Sequence, residues 1–432
     1  METGSTYLII GCGVFGLTTG LTLSKRDPQC RITMIDRYEP PVPDGASVDT
    51  SRIIRADYGD RVYAELAREA QRHWRTDPDL KKAYHECGML LNTADDLCEP
   101  GYLEKCIENV KGLGIDVEEL QGAALMEKVL GCGPGEARDC SLRGYLNPVS
   151  GFADSGMGIE ILYARAKERD NIHFHFEEVI GLSYAPRSDG AARRAVVGAE
   201  MVSGRKVVRD TTILASGAWQ LPDLPVPSVA TGQAIGYIDL TEEEVQKYSS
   251  MPITINFCTG WFCIPPYKGH LKVARHAEGY LNTSTLTDRD GNTRVLSVPR
   301  TSVTHGNQQV PDEGQAALRE GLRTYLPELA DRPFSNTRVC WYTDTPLSDF
   351  IIDWYPQVDK LFVATGGSGH GYKFLPILGD LIVSVLDGTV NPELRKKWSF
   401  EEALAAQKNI GLKGDGSRGR GRHLEWSEVS QQ

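Results

Sequence analysis

The pattern that most narrows what this chain can fold into is Gly11-Cys12-Gly13-Val14-Phe15-Gly16, set directly behind the apolar run at residues 7–10. Residues 6–11 read as a buried strand, and residues 14–26 as a helix ending in Ser24-Lys25-Arg26. Residues 31–36, Arg-Ile-Thr-Met-Ile-Asp, read as a second strand closed by an acid. Together they form the opening βαβ unit of a doubly wound sheet. In such a unit the first glycine permits a tight turn, and the second lets backbone N–H groups approach a pyrophosphate. The third lets helix and strand pack closely, and the helix N-terminus adds partial positive charge. An acid about twenty residues on accepts hydrogen bonds from a ribose, and Asp36 stands there, followed by Arg37. Strand, helix and acid all fall where dinucleotide binding needs them, which a ligand-free glycine turn does not require. The pattern alone does not choose between FAD and NAD.

Beyond it, a loop carrying Pro40, Pro41, Pro43 and Gly45 leads to a helix at residues 60–74, with Val62, Leu66, Ala70 and Trp74 on one face. Residues 155–168 read as a helix, 172–178 and 194–202 as strands, and 211–217 as a buried strand running into a glycine. Strands dominate residues 230–280, and a helix follows at 312–326. A last buried strand at 361–365 leads to a last helix at 374–387. Alternating βα units at both ends of a strand-rich block suggest two interleaved domains, and 432 residues suffice for two or three. The tail from residue 408 is polar and glycine-rich, and is expected to extend over the surface.

The net charge of −11, without a basic stripe, argues against nucleic acid as a partner. The short cluster Arg418-Gly419-Arg420-Gly421-Arg422 reads as a solvated loop. No apolar run approaches the roughly 20 residues that span a bilayer, so no membrane contact is expected. Residues 7–10 feed glycines rather than a cleavage site, and Val429-Ser430-Gln431-Gln432 is no peroxisomal address, so the expected location is cytoplasmic. The ten cysteines contain no Cys-x-x-Cys pair and read as reduced thiols. Cys258 and Cys263 lie close but have no histidine at zinc spacing, so no metal is expected.

A lone cysteine is ordinarily a small buried hydrophobe. The segment Arg338-Val339-Cys340-Trp341-Tyr342-Thr343-Asp344-Thr345-Pro346, closed by Phe350-Ile351-Ile352-Asp353, calls for another reading. It resembles the flavin-attachment segment of monomeric sarcosine oxidase, L-pipecolate and saccharopine oxidases, and fungal fructosyl amino acid oxidases. Upstream, Ala330-Asp331-Arg332-Pro333-Phe334-Ser335 is similar to the fungal fructosyl amino acid oxidases. The resemblance implies FAD bound covalently through Cys340 as an 8α-S-cysteinyl thioether. The glycine-rich loop Gly366-Gly367-Ser368-Gly369-His370-Gly371-Tyr372-Lys373 resembles the same family and implies flavin contacts at Gly367, Gly369, His370, Gly371 and Lys373. There it also implies that Lys373 binds the substrate carboxylate; on its residues alone Lys373 could be a solvated surface lysine.

The run Asp49-Thr50-Ser51-Arg52-Ile53-Ile54-Arg55 resembles the Thr-Arg-Ile-Ile-Arg segment of sarcosine oxidase and its pipecolate and saccharopine relatives. The likeness implies Ser51 and Arg52 beside the flavin, and Arg55 with Lys373 as a carboxylate clamp; a guanidinium fork suits a carboxylate. The fructosyl amino acid oxidases carry a lysine at the Arg52 position, which counts against Amadori substrates. Leu271-Lys272-Val273-Ala274-Arg275-His276 resembles a Leu-Lys-x-x-x-His strand of sarcosine oxidase. By that likeness Lys272 activates oxygen and His276 contacts substrate or tunes the site; strand alternation puts both on one face. An exposed strand edge is the plain alternative. Trp261, Phe262, Trp341 and Tyr342 are either pocket aromatics, Tyr342 as a substrate contact, or core.

The expectation is therefore an α/β chain. A Rossmann-like FAD-binding domain comprises residues 1–85, 150–225 and 335–407. An α+β substrate domain with a mostly antiparallel sheet comprises 86–149 and 226–334, and 408–432 is a C-terminal extension. The expected activity is oxidation of a secondary-amine L-amino acid to an imine with O2 reduced to H2O2, by a monomer. Oxidation of fructosyl amino acids, or a flavin dehydrogenase of similar substrates, are the alternatives.

Overall fold

The computed structural model describes residues 4–94, 101–130, 141–186, 193–288, 291–306, 309–410, 414–419 and 421–429. Thr6–Ile10 lies inside a six-stranded sheet because its Leu8, Ile9 and Ile10 are buried whichever face they take. The order is Ile351–Trp354, Leu361–Thr365, Thr211–Leu214, Thr6–Ile10, Arg31–Asp36 and Ile172–Phe176. All neighbours run parallel except Ile351–Trp354, which is antiparallel to Leu361–Thr365. The helix Val14–Arg26 returns from the first strand to the second. It lies so close that a Cβ on Gly16 would sit 1.8 Å from the Gly11 carbonyl oxygen, the packing expected of the third glycine.

The second large layer is a ten-stranded, mostly antiparallel sheet. At its centre the long strand Val229–Asp239 pairs antiparallel with His270–Arg275 on one side and with Asn336–Asp344 on the other. The strands carrying Lys272 and Cys340 therefore flank one common strand. Register sets Cys340 opposite Gln233 and Lys272 opposite Tyr237.

Four expectations change. The strand-rich block contains a helix, Glu242–Tyr248, started by a reciprocal capping box between Thr241 and Glu244. The buried stripe of Arg61–Thr76 is Tyr63, Ala64, Ala67, Ala70, Gln71 and Trp74, so Val62 and Leu66 sit at its margin, half-buried. The tail does not extend over the surface as a solvated loop: Ser417 is buried, and Arg418 pairs with Asp344 at 8% side-chain exposure. Leu424–Glu425 then joins the ten-stranded sheet beside Tyr280–Leu281. Finally, Cys258 is disulfide-bonded rather than a reduced thiol, while Cys12, Cys30, Cys87, Cys106, Cys263 and Cys340 are free. Among the described residues no helix is long and apolar enough to cross a membrane.

Candidate active site

A cavity of about 470 Å³ opens where the strand ends of the six-stranded sheet face the ten-stranded one. Gly11, Gly13, Val14, Phe15, Asp36 and Arg37 line one end. Asp36 accepts the Cys12 N–H at 2.6 Å and the Arg37 N–H at 2.7 Å, tying the glycine loop to the second strand. Arg37 lies over the Trp219 ring, 4.4 Å from its centroid, and pairs with Asp44. Arg52, Tyr342, Gly367, Gly369 and Gly371 line the other end. Gly369 has φ +76, and an added Cβ would stand 2.4 Å from the Tyr342 ring, so only glycine fits there.

One layer behind that end lies a buried charge hub. Arg52 donates through Nη2 to the Cys340 sulfur at 3.2 Å and pairs through Nη1 with Asp49. Lys272 donates to Asp49 Oδ2 and to the Ser51 carbonyl, each at 2.8 Å. The Tyr237 hydroxyl donates to the other Asp49 oxygen. Burial works against the Asp49 charge, but Lys272, Arg52 and Arg338 hold its carboxyl well below the usual range. Burial also pulls Lys272 down to about 8, against the pull of Asp49. Burial opposes the Arg52 charge too, yet Cys340 and then Asp49 raise its pKa, so it stays a cation. The Ser51 hydroxyl is buried without a partner.

The glycine loop brings a second group together around Tyr58. Lys373 donates to the Tyr58 hydroxyl at 2.7 Å, and His370 Nδ1 meets the same oxygen at 3.0 Å. The Arg55 guanidinium lies over the Tyr58 ring at 4.8 Å, and its Nη1 is buried without a partner. Among the described residues neither Arg55 nor Lys373 has an ion-pair partner. Burial, then Arg55, push the Lys373 ammonium well below its ordinary range, and burial and Lys373 push His370 down to about 3. Two basic side chains buried without an ion-pair partner suit an anionic ligand.

His276 lies between these groups and the tail. Its Nε2 is 3.2 Å from the Ser417 hydroxyl, and its ring is 5.8 Å from that of Tyr342. Burial, then the Arg418 cation, keep it well below its usual pKa. Trp261 and Trp341 are core: Trp261 stacks on Tyr325 at 4.9 Å, and the Trp341 indole N–H donates to the Arg300 carbonyl. Tyr342 faces the cavity and Phe262 is half-buried.

Residues 6–385 match the family model described as FAD dependent oxidoreductase. The chain belongs to that family. It is 31% identical to L-saccharopine oxidase of Schizosaccharomyces pombe, over 92% of this chain and 93% of the relative. It is also 31% identical to the amino acid oxidase imqH of Aspergillus flavus, over 93% of this chain and 98% of that one. Among solved structures it resembles fructosyl amine: oxygen oxidoreductase (Amadoriase I) from Aspergillus fumigatus, with TM-score 0.82 and 26% identity, over 99% of this chain and 97% of that one.

The residues present fit the FAD of this family. The cavity is long, runs from the glycine loop and Asp36 to Arg52 and Tyr342, and is edged by glycines that leave backbone amides accessible. The unpartnered Ser51 hydroxyl adds a buried polar atom beside Arg52. Sequence reasoning missed Asp49 as the hub, Tyr58 as the shared partner of Arg55 and Lys373, and the tail residues Asp415, Ser417 and Arg418. Asp49 opens the run quoted for Arg52, and its place two residues before Ser51 was the one local signal for it.

Proposed function

We propose that the protein is a flavin-dependent oxidase of a secondary-amine L-amino acid, of the saccharopine, pipecolate or N-methyl amino acid type. The observation that carries this reading is the pair of buried basic side chains, Arg55 and Lys373, sharing Tyr58 beside a cavity that fits FAD and, among the described residues, lacking an ion-pair partner. A substrate α-carboxylate would complete that pair; each charge-assisted hydrogen bond is worth about 1.5–3 kcal/mol. The likeness to L-saccharopine oxidase supports the substrate class.

Bound FAD would supply the two-electron oxidation of the substrate C–N bond to an imine, with O2 as the final acceptor and H2O2 as the product. The chain's own residues bind, orient and protect around it. Arg55 and Lys373 fix the carboxylate, which sets the amine nitrogen in the site. Burial of the clamp excludes water, and the neutral His276 adds no positive charge. Lys272 would stabilise negative charge developing on oxygen. Cys340 is the proposed attachment point, with Arg52 holding its sulfur in place.

A second reading, oxidation of fructosyl amino acids, is favoured by the likeness to Amadoriase I and by residues 330–335. Those residues have structural work here: Arg332 pairs with Glu244, and the Phe334 ring packs on Gly236. The test is a panel of L-pipecolate, saccharopine, sarcosine, other N-methyl amino acids, L-proline and fructosyl-lysine, read as peroxide release in air. Turnover of a secondary-amine amino acid in preference to fructosyl-lysine is expected. Turnover of fructosyl-lysine alone would replace the first reading with the second.

A further inference from the structure

The segment at residues 414–419 crosses between Pro346, just past the strand Asn336–Asp344 that carries Cys340, and His276, just past the strand His270–Arg275. Gly414 N–H donates to the Pro346 carbonyl at 3.0 Å, and Gly419 N–H donates to the His276 carbonyl at 2.8 Å. Between these anchors Arg418 pairs with Asp344 and donates to the Ala277 carbonyl at 3.3 Å. With both ends and its middle tied, the segment can hold a side chain in one place.

What it holds is a chain of hydrogen bonds. The Ser417 hydroxyl donates to Asp415 Oδ1 at 2.6 Å, and the Ser417 N–H donates to the same oxygen at 3.0 Å. A hydroxyl has one proton, so Ser417 Oγ can only accept at its other contact, His276 Nε2 at 3.2 Å. Nε2 must then carry the ring proton. In a neutral imidazole that leaves Nδ1 as the acceptor. Burial works against the Asp415 charge, but His370 and the two Ser417 bonds hold its carboxyl below the usual range, so it accepts at neutral pH. The charged and titratable groups around His276 are Arg418, Asp415, Arg55 and Lys373.

We propose that Ser417 and Asp415 are positioning residues that hold His276 as its Nε2–H tautomer, leaving Nδ1 as a hydrogen-bond acceptor for the amine substrate. This rests on the reading of the site as an amine oxidase. An Nδ1 lone pair can accept a hydrogen bond from the amine N–H, whereas an Nδ1–H can only donate.

The test combines a structural and a kinetic readout. Long-range 1H–15N spectra of histidine-labelled protein report which ring nitrogen carries hydrogen, with His276→Gln assigning the signals. The parent should show His276 protonated on Nε2. Ser417→Ala and Asp415→Asn should shift it toward the Nδ1–H form, and Ser417→Thr, which keeps the hydroxyl, should not. For the turned-over amine, kcat/KM should fall about tenfold in Ser417→Ala, as when an outer partner of a histidine is lost. The pH profile of kcat/KM should change shape there and recover in Ser417→Thr. A parent His276 protonated on Nδ1, or Ser417→Ala and Asp415→Asn matching the parent in both readouts, would overturn the assignment and leave the oxidase reading standing. Failure of the parent to oxidise any secondary amine would overturn that reading, and with it the use given to Nδ1.

Discussion

The Arg52 guanidinium donates to the Cys340 sulfur across 3.2 Å, although 288 residues separate the two in sequence. The contact holds the sulfur in one place, as the carbon–sulfur bond proposed at Cys340 requires. Replacing Cys340 with serine should leave a folded protein whose flavin is released by acid or detergent. The check is yellow fluorescence at the protein's mobility on a denaturing gel, expected in the parent and absent in Cys340→Ser.

Arg52→Lys keeps the charge but loses the fork that spans Cys340 and Asp49. Covalent loading of apoprotein with added FAD should slow by roughly tenfold or more, from the loss of one charge-assisted bond. A time course of acid-stable flavin measures it.

Arg55→Met and Lys373→Met should each lower kcat/KM by about 10- to 100-fold, the worth of a charged hydrogen bond to a carboxylate. Because the clamp binds the substrate's unreacting end, most of the loss should appear in KM. A substrate amide lacking the carboxylate charge should lose the same factor with the parent and little more with either variant.

Lys272 has its pKa lowered to about 8 by burial. Its charge is therefore complete well below pH 8 and is lost as pH rises through that value. The rate constant for reoxidation by O2 should fall through the same window. In Lys272→Met it should be reduced by roughly 100-fold or more and flat with pH, as stopped-flow mixing with oxygen can show.

Gly369→Ala puts a Cβ at φ +76 and 2.4 Å from the Tyr342 ring. The conformation alone costs about 1–2 kcal/mol, and Tyr342 must also move. A lower Tm and weaker flavin retention are expected.

The parts of this molecule legible in sequence are those whose cause is local. The glycine fingerprint and the strand at residues 31–36 depend on neighbours a few residues away. The short helix Glu242–Tyr248 was equally legible, since Thr241 and Glu244 form a capping box, but it lies inside a strand-rich block. The Asp49 hub was not, because it joins Lys272 from 223 residues away. The tail was not, because its glycine-rich composition reads as solvated, while Arg418 is held inside by Asp344, 74 residues earlier. Such pairings leave no periodicity to read.

The measurement that tests the central claim most directly is anaerobic mixing with L-pipecolate or saccharopine, followed by a pulse of O2. The account predicts that the yellow absorbance bleaches on mixing and returns with oxygen, with one H2O2 released per flavin. Bleaching that oxygen does not reverse would make the protein a dehydrogenase, and no bleaching with any secondary-amine amino acid would contradict the account.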